Sequence, residues 1–191
     1  MDIPYFDDVS ACLQALRAGG VILYPTDTIW GLGCDPRNAD AVRRLFSLKQ
    51  RPPEKSVLLL AAGMEQVEMV AGEIPAGTEA QISGSDRPLT IIYPNADGLA
   101  HGVCAEDGSV GIRIPDDPFC KALTEAYGFP ITSTSANLSN QPFDGSFSDV
   151  PSAIVEGADH VVVWRRAAKV DRRPSRIVKW MGAGEWLVIR E

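Results

Sequence analysis

The chain has 191 residues, of which 45% are hydrophobic and 23% charged, and its formal charge is −7. That length suits one domain of about 100–200 residues, and the composition excludes a disordered polyanion or a fibre. No apolar run approaches the roughly 18 residues that cross a bilayer, and Met1-Asp2-Ile3-Pro4-Tyr5 lacks the basic start and apolar core of an export signal, so a soluble, cytoplasmic chain with one domain over 1–191 is expected.

In chain order, Val9, Cys12, Leu13 and Leu16 stand at i, i+3, i+4 and i+7, the stripe of an amphipathic helix that Gly19-Gly20 ends. Val21–Tyr24 reads as a buried strand stopped by Pro25. Val42, Leu45 and Phe46 mark a second helix, capped at Asn38 or Asp40 and closed by Pro52-Pro53. A strand at Ser56–Leu60, a short helix at Met64–Ala71 and strands at Leu89–Tyr93 and Val110–Ile114 follow. Phe119, Ala122, Leu123 and Ala126 repeat the helical spacing before Gly128. Strands at Ile131–Thr134, His160–Val163, Arg176–Lys179 and Trp186–Ile189 complete the chain, with a helix near Ser152–Glu156. Helices interleaved with apolar strands predict a layered α/β domain. The last two strands form a closing hairpin, which makes the sheet mixed.

The charge is segregated. Residues 37–55 hold six basic side chains (Arg37, Arg43, Arg44, Lys49, Arg51, Lys55) against two acidic ones, and residues 165–179 hold seven against one. The remainder is strongly acidic. Such segregation puts local positive potential on a negative body, suited to a phosphorylated ligand in a cleft.

Several chemistries lack their motifs. Gly31-Leu32-Gly33 begins like a dinucleotide fingerprint, but Pro36 stands in the place of the third glycine. There is no GK[ST] phosphate loop and no G-x-S-x-G elbow. The two histidines, His101 and His160, sit in a loop and at a strand end, so a Ser-His-Asp hydrolase is not indicated. The four cysteines form no CxxC pair, and no cluster has metal-ligand spacing.

Other segments do carry chemistry. Tyr24-Pro25-Thr26-Asp27-Thr28-Ile29-Trp30-Gly31-Leu32-Gly33 puts hydroxyls, a carboxylate and glycines just past a buried strand, where open α/β sheets bind ligands. Gly31 and Gly33 would let backbone approach a substrate or take up a positive φ. Lys49 continues the apolar stripe of the second helix, so it either caps that helix's carbonyls or reaches into the cleft. Arg51 presents a planar fork to phosphate or carboxylate. Arg113 interrupts an apolar strand and needs an anionic partner or a wet cleft. Ser135-Ala136-Asn137-Leu138-Ser139-Asn140 forms either a hydrogen-bonding shelf past a strand or a plain Asx turn.

Together, Tyr24–Gly33, Lys49-x-Arg51, Val110–Pro115 and Ser135-x-Asn137 resemble the YrdC-like family of threonylcarbamoyl-AMP synthases, from about Gly19 to about Asn140. The resemblance implies a twisted, largely parallel sheet with flanking helices around a concave, positively charged cavity, in the family's short, single-domain form. It implies condensation of L-threonine, bicarbonate and ATP to threonylcarbamoyl-AMP and pyrophosphate, for the t6A modification of tRNA. ATP enters as substrate with Mg²⁺ carried on it, and transient contact with tRNA and the threonylcarbamoyl-transferase complex is implied. The Lys-x-Arg and Ser-x-Asn pairs set such synthases apart from YciO-type relatives. Residue by residue, the resemblance places Lys49, Arg51, Ser135 and Asn137 in catalysis. It places Thr28, Lys55, Ser56, Thr90, Arg113, Thr134, Ser139 and Ser175 on threonine or ATP, with no metal ligand.

The chain departs from that pattern at Gly84-Ser85-Asp86-Arg87-Pro88-Leu89-Thr90, where PGPxT is usual, at Ser175-Arg176-Ile177, at Ser139-Asn140, and at Trp30, where a smaller aromatic is common. Two other readings stand beside the synthase. One is a non-catalytic RNA-binding module using the basic segments, whose affinity would fall steeply with salt. The other is a carbamoyl-transfer domain of hydrogenase-maturation type.

Overall fold

The computed structural model describes residues 4–51, 56–168 and 174–191. The first helix, α1 (Phe6–Arg17), buries Val9, Cys12 and Leu16 and ends ahead of Gly19 at φ +77°, as its stripe predicts. It leads into β1 (Ile22–Tyr24), a loop through Trp30, and β2 (Gly31–Gly33). The helix α2 (Ala39–Leu48) is capped by Asn38, whose side chain accepts from the amides of Asp40 and Ala41. It stops before the prolines, because Gln50 adopts a left-handed φ of +48° and Arg51 N returns to Phe46 O. There follow β3 (Leu58–Leu60), α3 (Met64–Ala71), α4 (Thr78–Ser83), β4 (Leu89–Tyr93) and β5 (Val110–Arg113). Asp117 caps α5 (Pro118–Tyr127), and Gly128 closes it at φ +77°. The chain finishes with β6 (Ile131–Ser135), α6 (Ser152–Gly157), β7 (His160–Val161), β8 (Arg176–Gly182) and β9 (Glu185–Arg190).

Two elements escape sequence patterning. α4 has no apolar stripe long enough to announce it, and β2 is Gly-Leu-Gly. The glycines of β2 serve packing, and neither takes a positive φ. A Cβ on Gly33 would lie 2.4 Å from Thr132 O, and one on Gly31 would lie 3.3 Å from Thr134 O. Only glycine lets this strand fit between its neighbours.

Among the described residues the strands form one sheet in the order β7-β1-β2-β6-β3-β5-β4-β8-β9. It is mixed with flanking helices, as expected. Its neighbours are parallel in β1–β7, β3–β5 and β4–β8 and antiparallel in the other five pairs. Antiparallel neighbours thus outnumber parallel ones, against the largely parallel arrangement that the resemblance implies, because the β1–β2, β4–β5 and β8–β9 pairs and the placement of β6 between β2 and β3 all reverse direction. Helix α1 packs on α5 and β1, and Tyr5, Phe119 and Trp164 form an aromatic cluster beside it, with centroids 4.8–5.9 Å apart. Among the described residues no helix is long and apolar enough to cross a membrane.

The alternation of side chains across the sheet creates two hollows. Thr90 and Ile92 of β4, with Gly111 and Arg113 of β5, face one of them. Leu89, Ile91, Tyr93 and Ile112 face the other.

Candidate active site

The first hollow has a volume of about 580 Å³, within the range of about 300–1,000 Å³ typical of small-molecule sites. Of the residues singled out from sequence, Thr28, Arg51, Ser56, Thr90, Arg113, Thr134, Ser135 and Ser175 all line it. They come from the β1–β2 loop, the segments just after α2 and just before β3, and strands β4, β5 and β6, with Ser175 just before β8. The described lining holds three arginines and no carboxylate.

Arg113 is 5% exposed. Its Nη1 donates to Thr28 Oγ1 at 3.1 Å and lies 3.1 Å from Asp27 Oδ1. The Asp27 contact is an ion pair without hydrogen-bond alignment, and Arg113 Nε is buried with no hydrogen-bond partner among the described residues. Burial raises the Asp27 carboxyl above its ordinary range despite the opposing charge of Arg113. The neighbouring turn is rigid: Thr26 Oγ1 accepts from the amides of Thr28 and Ile29, donates to Ile29 O, and stands 3.0 Å from Thr28 Oγ1.

Lys49 takes neither course open to it in sequence. It lies under the site, 1% exposed, and spans from α2 to the end of β6. Its Nζ donates to Ser135 O, to Asn137 O at 2.8 Å, and weakly to Asn137 Oδ1 at 3.4 Å. Burial, followed by the charge of Arg51, pushes its ammonium down to about 7. Ser135 Oγ donates to Asn137 Oδ1 at 2.6 Å, and Asn137 Nδ2 donates to Gln141 O at 2.7 Å. Ser139 N donates to Lys49 O at 2.8 Å. Lys49, Asn137 and Ser139 therefore form a shelf that carries Ser135. Arg51 Nη2 donates to Ser56 O, and burial lowers the guanidinium's pKa. Lys55 lies outside the described residues.

On the far wall Thr90 Oγ1 and Ser175 Oγ are 2.9 Å apart. Arg190, at the end of β9, donates to Ser175 O through Nε at 3.0 Å and Nη2 at 2.8 Å. Burial and the charge of Arg113 both lower its pKa, as expected where cations crowd one hollow. Sequence reasoning passed over Arg190 as a site residue. The signal was the one that marked Arg113, an arginine within an apolar strand. Ser109 and Ser133 line the hollow as well.

The described residues of the basic segments largely resolve into ion pairs. Arg37 pairs with Asp35, Arg43 with Asp40, Arg44 with Asp159, Arg165 with Asp117, Arg176 with Glu191 and Lys179 with Asp107. Arg166 donates to two carbonyls and stacks on Phe147. Lys169, Arg172 and Arg173 lie outside the described residues. Of the first segment, Arg51 reaches the hollow and Lys49 supports it. His160 Nε2 lies 3.3 Å from Asp8 Oδ1, at a strand end. Trp30 is buried against Phe147, 4.8 Å between centroids.

The profile of the Sua5/YciO/YrdC family, described as Telomere recombination, matches residues 14–191. The chain belongs to the Sua5/YciO/YrdC family. A threonylcarbamoyl-AMP synthase of Marinobacter nauticus is 36% identical over 177 residues, 92% of each chain. One from Vibrio campbellii is 40% identical over 139 residues, covering 68% of this chain and 72% of the other. Among solved structures, P. abyssi Sua5 complexed with L-threonine superposes with a TM-score of 0.85 at 24% identity, covering all of this chain and 55% of that one. At these identities the structural match speaks for the fold, and the family's sheet is the one described above.

Proposed function

We propose that the chain is a threonylcarbamoyl-AMP synthase, joining L-threonine, bicarbonate and ATP into threonylcarbamoyl-AMP, pyrophosphate and water. The observation that carries this reading is the gathering of Arg51, Arg113 and Arg190 from three distant segments around one hydroxyl-lined hollow free of described carboxylates. Its named relatives over nine-tenths of the chain support it.

Threonine's amine adds to bicarbonate, or to CO₂ derived from it, and gives a carbamate. A carbamate oxygen then attacks the α-phosphorus of ATP, and pyrophosphate leaves. Such a reaction is catalysed mostly by positioning and by stabilising charge, so it needs cations and donors more than a nucleophile. Arg113, with Thr28 beside it, suits the threonine carboxylate, because a guanidinium offers that group a matching pair of donors. Arg51 and Arg190 suit the phosphates. Ser135, on the shelf that Lys49, Asn137 and Ser139 form, orients the carbamate, and Thr90, Thr134, Ser175 and Ser56 complete the contacts. The described lining offers a metal no carboxylate, so a Mg²⁺ would be carried in by ATP and would supply neutralisation of phosphate charge. The adenylate then passes, in the cytoplasm, to the transferase complex that modifies tRNA.

The ion pairs that consume most described basic residues favour this reading over an RNA-binding module. Pyrophosphate release from ATP, with threonine and bicarbonate omitted in turn, tests it. Dependence on both substrates is expected. Release that needs neither, or tight RNA binding with no release, refutes the assignment.

A further inference from the structure

We propose that Asp27 is a positioning residue: it fixes the guanidinium of Arg113, and so sets the affinity of the cavity for a carboxylate-bearing substrate, without touching that substrate. The inference rests on the reading above, in which Arg113 receives the threonine carboxylate.

Thr26 and Thr28 line the reaction cavity, whereas Asp27 between them borders the hollow on the opposite face, with Ile112, Ile114 and Asp116. The segment is a turn closed on Thr26 Oγ1, which accepts from the amides of Thr28 and Ile29. Here that sends two hydroxyls toward the substrates and the carboxylate behind them. Arg113 is the group that links the two sides, since it lines the reaction cavity while its Nη1 meets Asp27 Oδ1 at 3.1 Å. Both side chains are nearly out of water, 5% and 10% exposed. A guanidinium buried this deeply without a carboxylate is costly, and among the described residues Asp27 is the carboxylate that pairs with it. Nη1 is held from behind by Asp27 and from the side by Thr28 Oγ1. Nη1 is thereby located before substrate arrives, while Nε has no partner among the described residues and is left for one arm of a carboxylate. Asp27 lies beyond Arg113 from the cavity, so it acts through that residue and does not itself take a proton from the amine.

The test compares D27N, D27E, R113Q and the double variant D27N/R113Q in pyrophosphate release, varying threonine and ATP separately. D27N should raise KM for threonine about 10- to 100-fold, the size of a lost coupling between contacting groups, and leave KM for ATP within about twofold. D27E, which restores the charge, should recover part of that loss. In the R113Q background D27N should add little, because both changes disable one device. If D27N leaves too little folded protein, the comparison of R113Q with D27N/R113Q, which buries no lone charge, carries the test. Equal rises in both KM values, or additive effects in the double variant, overturn the proposal. So does a crystal structure of D27N with Arg113 in its present place, whatever the activity. Wild-type protein that releases pyrophosphate without threonine would instead remove the parent reading, and with it the carboxylate role.

Discussion

Lys49 shows how a single residue can be read correctly in kind and wrongly in target. Its place on the apolar stripe of α2 marks it as buried, but the carbonyls it serves lie 86 and 88 positions later, and no local pattern shows them. Its burial has a measurable consequence. The ammonium titrates at about 7 in the folded chain and at about 10.4 when unfolded. Between those values the unfolded chain binds more protons, so the contribution of Lys49 to stability rises as pH climbs from about 7 to about 10. Buried thiols such as Cys12, whose pKa is raised, act in the opposite sense, and comparison with K49M cancels them. Denaturant titrations at about pH 6.5 and 9.5 should show wild type gaining on K49M at the higher pH. A constant gap contradicts the assignment of a depressed lysine. For catalysis, removing a preorganised donor costs about 10²–10³ in rate. Arg51→Ala and Lys49→Ala should each lose that much in pyrophosphate release, and full activity in both would refute their roles.

Among the elements, most strands and helices were legible because their apolar spacing is local. Asn38, one of the two caps its helix offered, holds that end, and the stripe of α1 fixes its buried face. β2 was not legible, since Gly-Leu-Gly carries no strand pattern and becomes a strand only through pairing with β1 and β6. That dependence makes Gly33 sensitive. A methyl group there would meet Thr132 O at 2.4 Å and the Tyr24 ring at 2.9 Å, so Gly33→Ala should lose about 1–3 kcal/mol in denaturant unfolding, the usual cost of overpacking. An unaltered midpoint would show that the β1–β2–β6 junction yields more easily than its spacing implies.

For the whole molecule, the sheet converts distance in sequence into proximity. Arg51 follows α2, Arg113 ends β5 and Arg190 ends the last strand, yet all three border one hollow. The described members of the basic clusters conspicuous in the sequence mostly pair with nearby acids, several of them remote in the chain, such as Asp159 and Asp107. Charge counting alone could not separate the cations that pair on the outside from those that border the hollow. Arg51 was marked by its motif and Arg113 by its apolar strand, and Arg190 by neither. The direct test is a crystal structure of the protein with L-threonine and a non-hydrolysable ATP analogue. The triphosphate is expected against Arg51 and Arg190 and the threonine carboxylate on Arg113, with the amine turned toward Ser135. Ligands seated in the opposite hollow beside Asp86 and Asp116, or on the outer surface, would contradict it.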